Sequence, residues 1–474
     1  MKQLLTLLAL IAATAAAAQN DVAKAFAISP TLYDLGTKVF PTGNGYAVFG
    51  YTAGPSNAQG DIFLLRLDQN GNELSRHIYG ENNRREGISK GVLPVGNNGW
   101  LIAGWRATAP NSSSRVGYLI RVDANGNEMW NKTMSAPGGA QFFFTTLAQL
   151  PSGDYIAGGN SSDKMVLVRF TPSGDIVWFK NYNAGPVVGM FISEAGGNCF
   201  LASRSEVAKI RTSDGALSWI KDIELPVFGD PQGSIYTSLQ DIVSVGNGRF
   251  ALIGDALNDA IFDFEEAMYS SLWKENGDIV WTKVYRRNAA AGTGSAYGNS
   301  LLYLPNQQQL LLTGEGGPGI IVTRIDLSGK TLETNNIPIP GGGYDPILGK
   351  SNGIYFATGG SLQSNMNTCF FRSGGNWLPN GSQRPEERAT AAFEKPNLYP
   401  NPASHTLHFD FYSETASNRV IQIFSTSGQE LLRTEHPVEP GFNHLGIQIS
   451  ALPEGMYWLV SPEGYFAPKV WIKG

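Results

Sequence analysis

One short pattern returns seven times along the middle of this chain. The segments LLRLDQNGNEL, LIRVDANGNEMW, LVRFTPSGDIVW, KIRTSDGALSW, SLWKENGDIVW, VTRIDLSGKTL and FFRSGGNWL are variants of a single unit. Their turn glycines are Gly71, Gly126, Gly174, Gly215, Gly277, Gly329 and Gly374, spaced about 50 residues apart, a period expected of blade-like repeats. Asn-Gly and Ser-Gly between apolar runs predict tight hairpins, because the turn needs positive φ. Upstream of each hairpin lies a second one. In the second unit GISKGVLPV, WLIAGWRAT, GYLIRVDA and NEMWNKTMS read as four strands.

Four antiparallel strands repeated radially leave few open edges. The expected fold class is therefore all-β: a seven-bladed β-propeller over residues 19–378, followed by a small C-terminal β-sandwich. No segment has a sustained helical period. The abundance of Gly (56 residues) and the low charged fraction of 16% fit many short strands and tight turns. The stretch Val22–Ile28 precedes the first full unit, and the seventh unit has a short last strand. The N-terminal stretch is therefore expected to pair into the last blade and close the ring.

Trp130, Trp178, Trp219 and Trp281 stand four residues after their turn glycines, and Ser75 and Glu333 hold that place in two other units. The spacing resembles the tryptophan-docking motif of quinoprotein-like propellers, in which an indole wedges between neighbouring blades. Quinone-dependent members carry adjacent cysteines; Cys199 and Cys369 are far apart, so no cofactor is expected. Both sit in apolar strand-like runs and are expected to be buried free thiols.

The N-terminus has a different character. Lys2, the apolar run Leu4–Ile11 and the small residues Ala15–Ala18 follow the order of a secretory signal. Residues 1–18 are expected to be removed, leaving Gln19 first. The apolar part is too short to span a bilayer, and no later segment is long and apolar enough.

Residues 379–396 (PNGSQRPEERATAAFEKP) read as a linker. Beyond it, over 397–474, come Leu398-Tyr399-Pro400-Asn401-Pro402-Ala403, then VIQIFSTSGQEL with Gly428 in its turn. ISALPEGMYWLV follows with Leu452, Pro453, Gly455 and Tyr457, and the chain closes on Lys469-Val470-Trp471-Ile472-Lys473. These blocks, in this order, resemble the type A C-terminal sorting domain of the type IX secretion system of Bacteroidota. The resemblance implies recognition by that machinery and export through the periplasm. The destination would be the extracellular space or attachment at the outer-membrane surface, usually with loss of the domain.

Signs of chemistry are sparse. The propeller contains one histidine, His77, so neither a Ser-His-Asp set nor a histidine metal site can be assembled. Asp68 and Asp123 open Asp-x-Asn-Gly-Asn turns that suggest calcium, but the glycine sits where a hairpin needs it, and no metal is expected. Arg66, Arg121, Arg169 and Arg324 precede their turn glycines by five, with Asp68, Asp123 and Asp326 two residues on; inter-blade ion pairs are expected. The net charge of -5 speaks against nucleic acid.

Binding is expected on the opposite face, where the loops are long and dissimilar: 81–87, 107–115, 255–267 and 286–298. Arg84, Arg85, Trp105, Asp259, Asp263, Arg286 and Arg287 are the candidate ligand-binding residues. The expected function is a secreted or surface-displayed propeller that binds a glycan or protein. The alternatives are a polysaccharide hydrolase or lyase using carboxylates such as Asp259, Asp263 or Glu265, and a structural adhesin.

Overall fold

The structure is a computed structural model. It describes residues 22–29, 33–54, 60–81, 84–96, 99–162, 164–226, 234–260, 263–285, 297–316, 319–338, 344–351, 354–361, 367–374, 397–399, 402–413, 417–425, 429–438, 441–460 and 469–473. The expected signal segment 1–18 and linker 379–396 lie outside the described residues. Among the described residues the only helical turn is Pro137–Gly139, and no helix is long and apolar enough to cross a membrane. The chain divides into two compact units, one holding most of the repeat and the other the C-terminal strands together with 225–236 and 257–265.

The repeat folds into seven sheets. In the first blade the strands Tyr33–Thr42, Gly45–Ala53, Ile62–Asp68 and Glu73–Tyr79 pair antiparallel in chain order. The same four-strand order recurs over residues 86–134, 143–182, 189–222, 235–285 and 298–338. In the second blade the inner strand is broken into Glu86–Gly87 and Val92–Pro94, and both pieces pair with Trp100–Ala107. The seventh blade takes three strands from 344–374 and its outer one from Val22–Phe26, with Val22 opposite Arg372 and Phe26 opposite Thr368. The strand nearest the N-terminus thus completes the last blade.

Each seam between blades is apolar. Ala47, Phe49 and Leu64 of blade 1 pack with Trp100, Ile102 and Ile120 of blade 2. Val245, Ile253 and Leu272 of blade 5 meet Leu301, Leu310 and Ile325 of blade 6. Phe370 of blade 7 joins Val48 and Phe63 of blade 1. Blades 4 and 5 meet through Phe191, Phe200, Phe250 and Trp273, whose ring centroids lie 4.9 to 6.1 Å apart.

A second repeated device is a bulge in the inner strands. Register shifts fall between Gly36 and Lys38, Phe144 and Thr146, and Gly298 and Ser300. The bulge drives an inner-strand carbonyl against the second strand. A Cβ at Gly50, Gly104, Gly159, Gly254 or Gly314 would sit only 1.9 to 2.3 Å from that oxygen. Glycine is the residue that fits there. At the centre of the ring Lys90 of blade 2 reaches across. Its Nζ donates to the carbonyls of Gln240 (2.5 Å) and Asn299 (3.2 Å), in blades 5 and 6, and lies 3.8 Å from Asp241.

The C-terminal unit has two sheets. Asn397–Tyr399, Thr406–Ser413 and Gly441–Gln448 form one; Glu430–Val438, Ser417–Ser425, Gly455–Val460 and Lys469–Lys473 form the other. Leu407, Phe409, Leu445 and Ile447 from the first sheet and Ile421, Ile423, Tyr457 and Leu459 from the second share one core. This is the expected sandwich, held by period-two alternation.

Candidate functional site

The turn glycines Gly71, Gly126, Gly174, Gly215, Gly277 and Gly329 all have positive φ. Each turn is a docking point for the outer strand of the preceding blade. Trp178 Nε1 donates to the Thr212 carbonyl (3.1 Å), and Trp281 Nε1 to that of Leu327 (2.9 Å), each one blade on. The hydroxyls of Tyr79, Tyr182 and Tyr285 donate to the carbonyls of Gly126, Gly215 and Gly329, and Lys221 Nζ does the same for Gly277. Blade 1, which has Ser75 at the tryptophan position, relies on Tyr79 and on His77 beside Gly126.

Two expectations about these turns need separating. Asp68 and Asp123 spend their carboxylates inside their own turns: Oδ1 accepts from the backbone of Asn70 and Asn72, and of Asn125 and Asn127. Those bonds hold both carboxyls below the usual range. Among the described residues, Arg169 does not form an inter-blade ion pair of the kind expected from the Arg–Asp spacing. Arg169 pairs instead with Asp154 of its own blade (2.7 Å) and donates to the Thr212 carbonyl of the next. Lys209 and Arg372 reach the following blade's turn in the same way, at the carbonyls of Glu275 and Gln69. At these arginine and lysine positions the seam is bridged by cation-to-carbonyl hydrogen bonds, while between blades 2 and 3 Lys132 pairs with the turn residue Asp175 (3.0 Å).

The opposite face holds Arg84, Arg85 and Trp105 of the candidate ligand residues. Trp105 ends the fully buried strand Trp100–Ala107 and is itself only 9% exposed. The guanidinium carbon of Arg115 lies 4.2 Å from its ring centroid and that of Arg85 lies 5.5 Å away. Arg115 also approaches Phe143 of blade 3, at 5.5 Å. One loop residue and three strand residues, from two blades, thus meet at one corner.

Beneath this stack lies a charged network. Arg106 binds Glu86 and Glu81, both at 2.9 Å, donates to the Tyr118 hydroxyl at 2.5 Å and lies 3.8 Å over that ring. Arg84 joins through Glu81 (3.2 Å). Glu86 is fully buried, and its Oε2 has no hydrogen-bond partner. Gly80 sits between this oxygen and the Asp61 carboxylate; a Cβ there would lie 2.0 Å from Asp61 Oδ1 and 3.2 Å from Glu86 Oε2. Burial, with Asp61 adding to it, pushes the Glu86 carboxyl up to about 7 despite Arg106.

The structure therefore brings Arg84, Arg85 and Trp105 together. Asp259 and Asp263 belong to the other compact unit. Segment 255–267, read as a loop, is mostly strand: Arg249–Ala260 and Asp263–Lys274 form a long hairpin that carries Asp259 and Asp263 near its tip. Acidic residues interrupting the apolar run hid that pairing. Arg286 and Arg287 lie outside the described residues. Arg106, Arg115 and Glu86 were missed, since no sequence period links a loop residue of one blade to strands of the next. Among the described residues no cluster of three His, Cys, Asp or Glu could hold a metal ion.

In the C-terminal unit, Tyr457 is buried and donates to the Pro453 carbonyl (2.6 Å), so two residues of one sequence block fix each other. Tyr399 lies in the first strand of this unit, and Lys469, Val470 and Lys473 in the last. Pro402 is exposed, Leu452 packs against the core and Gly455 has φ of 156°. Pro400, Asn401 and Gly428 lie outside the described residues. Residues 397–464 match the family model described as the secretion system C-terminal sorting domain. The tail is a type IX sorting domain. The chain is thus a β-propeller exported as cargo of that system, to the cell surface or the extracellular space. Among solved structures, the WD40 β-propeller domain of Doa1 is similar over 72% of this chain and 97% of its own, with a TM-score of 0.43 and 12% identity. No curated protein matches the chain.

Proposed function

We propose that the cargo is a non-enzymatic binding propeller that engages a glycan or protein ligand through its long-loop face. The observation that carries this reading is the corner where Arg85 and Arg115 lie against Trp105, with Arg84 beside them. The strand that carries Trp105 is fully buried, and the contacts made there have no counterpart in the repeated turns, as suits a recognition site on a repeat fold. Residues 1–18 act as a signal peptide for the inner membrane, 19–378 form the working domain and 379–396 connect it to 397–474. The sorting domain is removed at the outer membrane, leaving the propeller released or surface-attached.

Glycan-array and pull-down screens of the full chain test the binding role. The expected result is a ligand retained by the native chain and lost on replacing Arg84 and Arg85 together by Gln. A ligand whose retention ignores these residues would place recognition elsewhere. Fractionation after deleting 397–474 tests the routing, with retention in the periplasm expected.

A further inference from the structure

We infer that the ligand held at the Trp105 corner is an acidic polysaccharide, recognised through its carboxylate or sulfate groups. This rests on the binding role proposed for the long-loop face. The argument starts from Arg115. Among the described residues Arg76, Arg84, Arg106, Arg169 and Arg211 each have a carboxylate within 3.2 Å. Arg115 makes no ion pair among the described residues. Its guanidinium is half-buried between Trp105 and Phe143, and its one hydrogen bond to a neighbouring side chain is donated by the backbone N–H to Gln141 Oε1. Burial and the like charge of Arg85 both act against its ionised form.

A cation removed from water without a counter-charge is costly. Here the nearby carboxylates Glu81 and Glu86 pair with Arg84 and Arg106, and the charged side chain that acts on Arg115 is a second cation, Arg85. Yet stacking on an indole fixes the guanidinium plane and leaves its in-plane N–H groups free to bind a planar or tetrahedral oxyanion bidentately. The missing partner is therefore an external anion. With a chain net charge of -5, general attraction to polyanions is weak, so this corner is a local exception.

The neighbouring aromatics favour sugar over peptide. Tyr33 is 52% exposed and opens the inner strand of blade 1. Its register partner, Ala53, is two residues from Tyr51, whose phenol acts electrostatically on Arg115. An exposed aromatic ring beside a strand that reaches the guanidinium offers a stacking platform for a pyranose face. Tyr33 would take the ring and Arg115 its acidic substituent.

The test measures binding of the full chain to polygalacturonate, dextran sulfate, neutral dextran and poly-glutamate. Its variants are Arg115→Gln, Arg115→Lys and Tyr33→Ala, each with its melting temperature recorded. Polygalacturonate and dextran sulfate distinguish carboxylate from sulfate. Binding to at least one acidic polysaccharide is expected, with neutral dextran and poly-glutamate at least about tenfold weaker. Arg115→Gln should lose about tenfold or more at unchanged melting temperature, and Arg115→Lys should recover only part, because an ammonium keeps the charge without the fork. If an Arg115 variant fails to fold, Tyr33→Ala at the exposed ring carries the test, with weaker binding expected. Equal binding of neutral dextran, or no effect of Arg115→Gln in a folded chain, overturns the acidic ligand and leaves glycan binding standing. Poly-glutamate binding as tightly as the polysaccharides overturns it in favour of a protein ligand. Silence on all four polymers overturns the inference, while the array and pull-down screens independently decide the binding role.

Discussion

The indole N–H of Trp178 and the guanidinium of Arg169, on adjacent strands of blade 3, converge on a single acceptor, the Thr212 carbonyl of blade 4. Trp219, at the equivalent position one blade on, has a buried Nε1 without a hydrogen-bond partner. Lys209 occupies the corresponding carbonyl, that of Glu275. Replacing Trp178 by Phe should cost about 1 kcal/mol of lost hydrogen bond. Trp219→Phe should be neutral or slightly stabilising, since it removes an unsatisfied donor. Paired denaturant melts of the two variants check this, and equal losses would contradict the assignment.

Close approach at the inner bulge makes a second prediction. A Cβ at Gly104 would stand 2.2 Å from the Gly87 carbonyl, backbone that has little room to retreat. At Gly153, with φ of 93°, a Cβ meets nothing within 4 Å. Gly104→Ala should therefore cost about 3 kcal/mol, and Gly153→Ala only about 1 kcal/mol for its backbone strain. Thermal denaturation of both variants gives the comparison.

The acid pair under the binding corner predicts a pH dependence. Glu86 has its carboxyl raised from about 4.5 to about 7, so the folded chain binds a proton there that the unfolded chain releases. Stability from this group is full below about 4.5, declines as pH rises, and is gone above about 7. Glu86→Gln keeps the side-chain shape but cannot ionise. Its melting temperature should vary less across that window than the native one, with the variant gaining relative to native at the upper end. Parallel curves would show that Glu86 does not titrate there.

Cys199 and Cys369 are fully buried in the second strand of blade 4 and the third of blade 7. Burial pushes the Cys369 thiol up to about 12 and raises Cys199 as well. Neither should react with a thiol reagent in the native chain, and both should react in denaturant. Fast labelling of either without denaturant would indicate local opening.

Closure by the first strand can be tested directly. Removing Val22–Phe26 strips the outer strand from the seventh blade and the Lys24–Asn72 hydrogen bond (2.6 Å) to blade 1. The melting temperature should fall on the order of 10 °C. Removing only the residues before Val22 should leave it unchanged.

What was legible in the sequence was what the chain repeats. The turn glycines take positive φ six times over, Gly374 instead ending its strand, and tryptophan recurs at one offset, so turns, blade count and docking could be read from spacing. A further signal was present and passed over. Lys132, Lys180, Lys221 and Lys283 follow their tryptophans by two, and each lies against the next blade's turn glycine. The glycines of VFG, IAG, AGG, IGD and TGE likewise mark the inner bulge. The binding corner was only half legible. Arg84, Arg85 and Trp105 stood out by type, whereas Arg115 matters because a loop of blade 2 brings it against a strand of blade 3. Contacts made once, between unlike segments, leave no period. The Arg–Asp spacing misled for a related reason: both residues recur, but the turn claims the aspartate before the neighbouring blade can.

The pairing of Val22–Phe26 with Asn367–Gly374 has a bearing on how the molecule is made. Val22–Phe26 is made before any blade yet has no strand partner until Asn367–Gly374 is made, so the ring can lock only once the whole repeat exists. The lock joins segments more than three hundred residues apart, whereas every other blade is complete within its own stretch of chain.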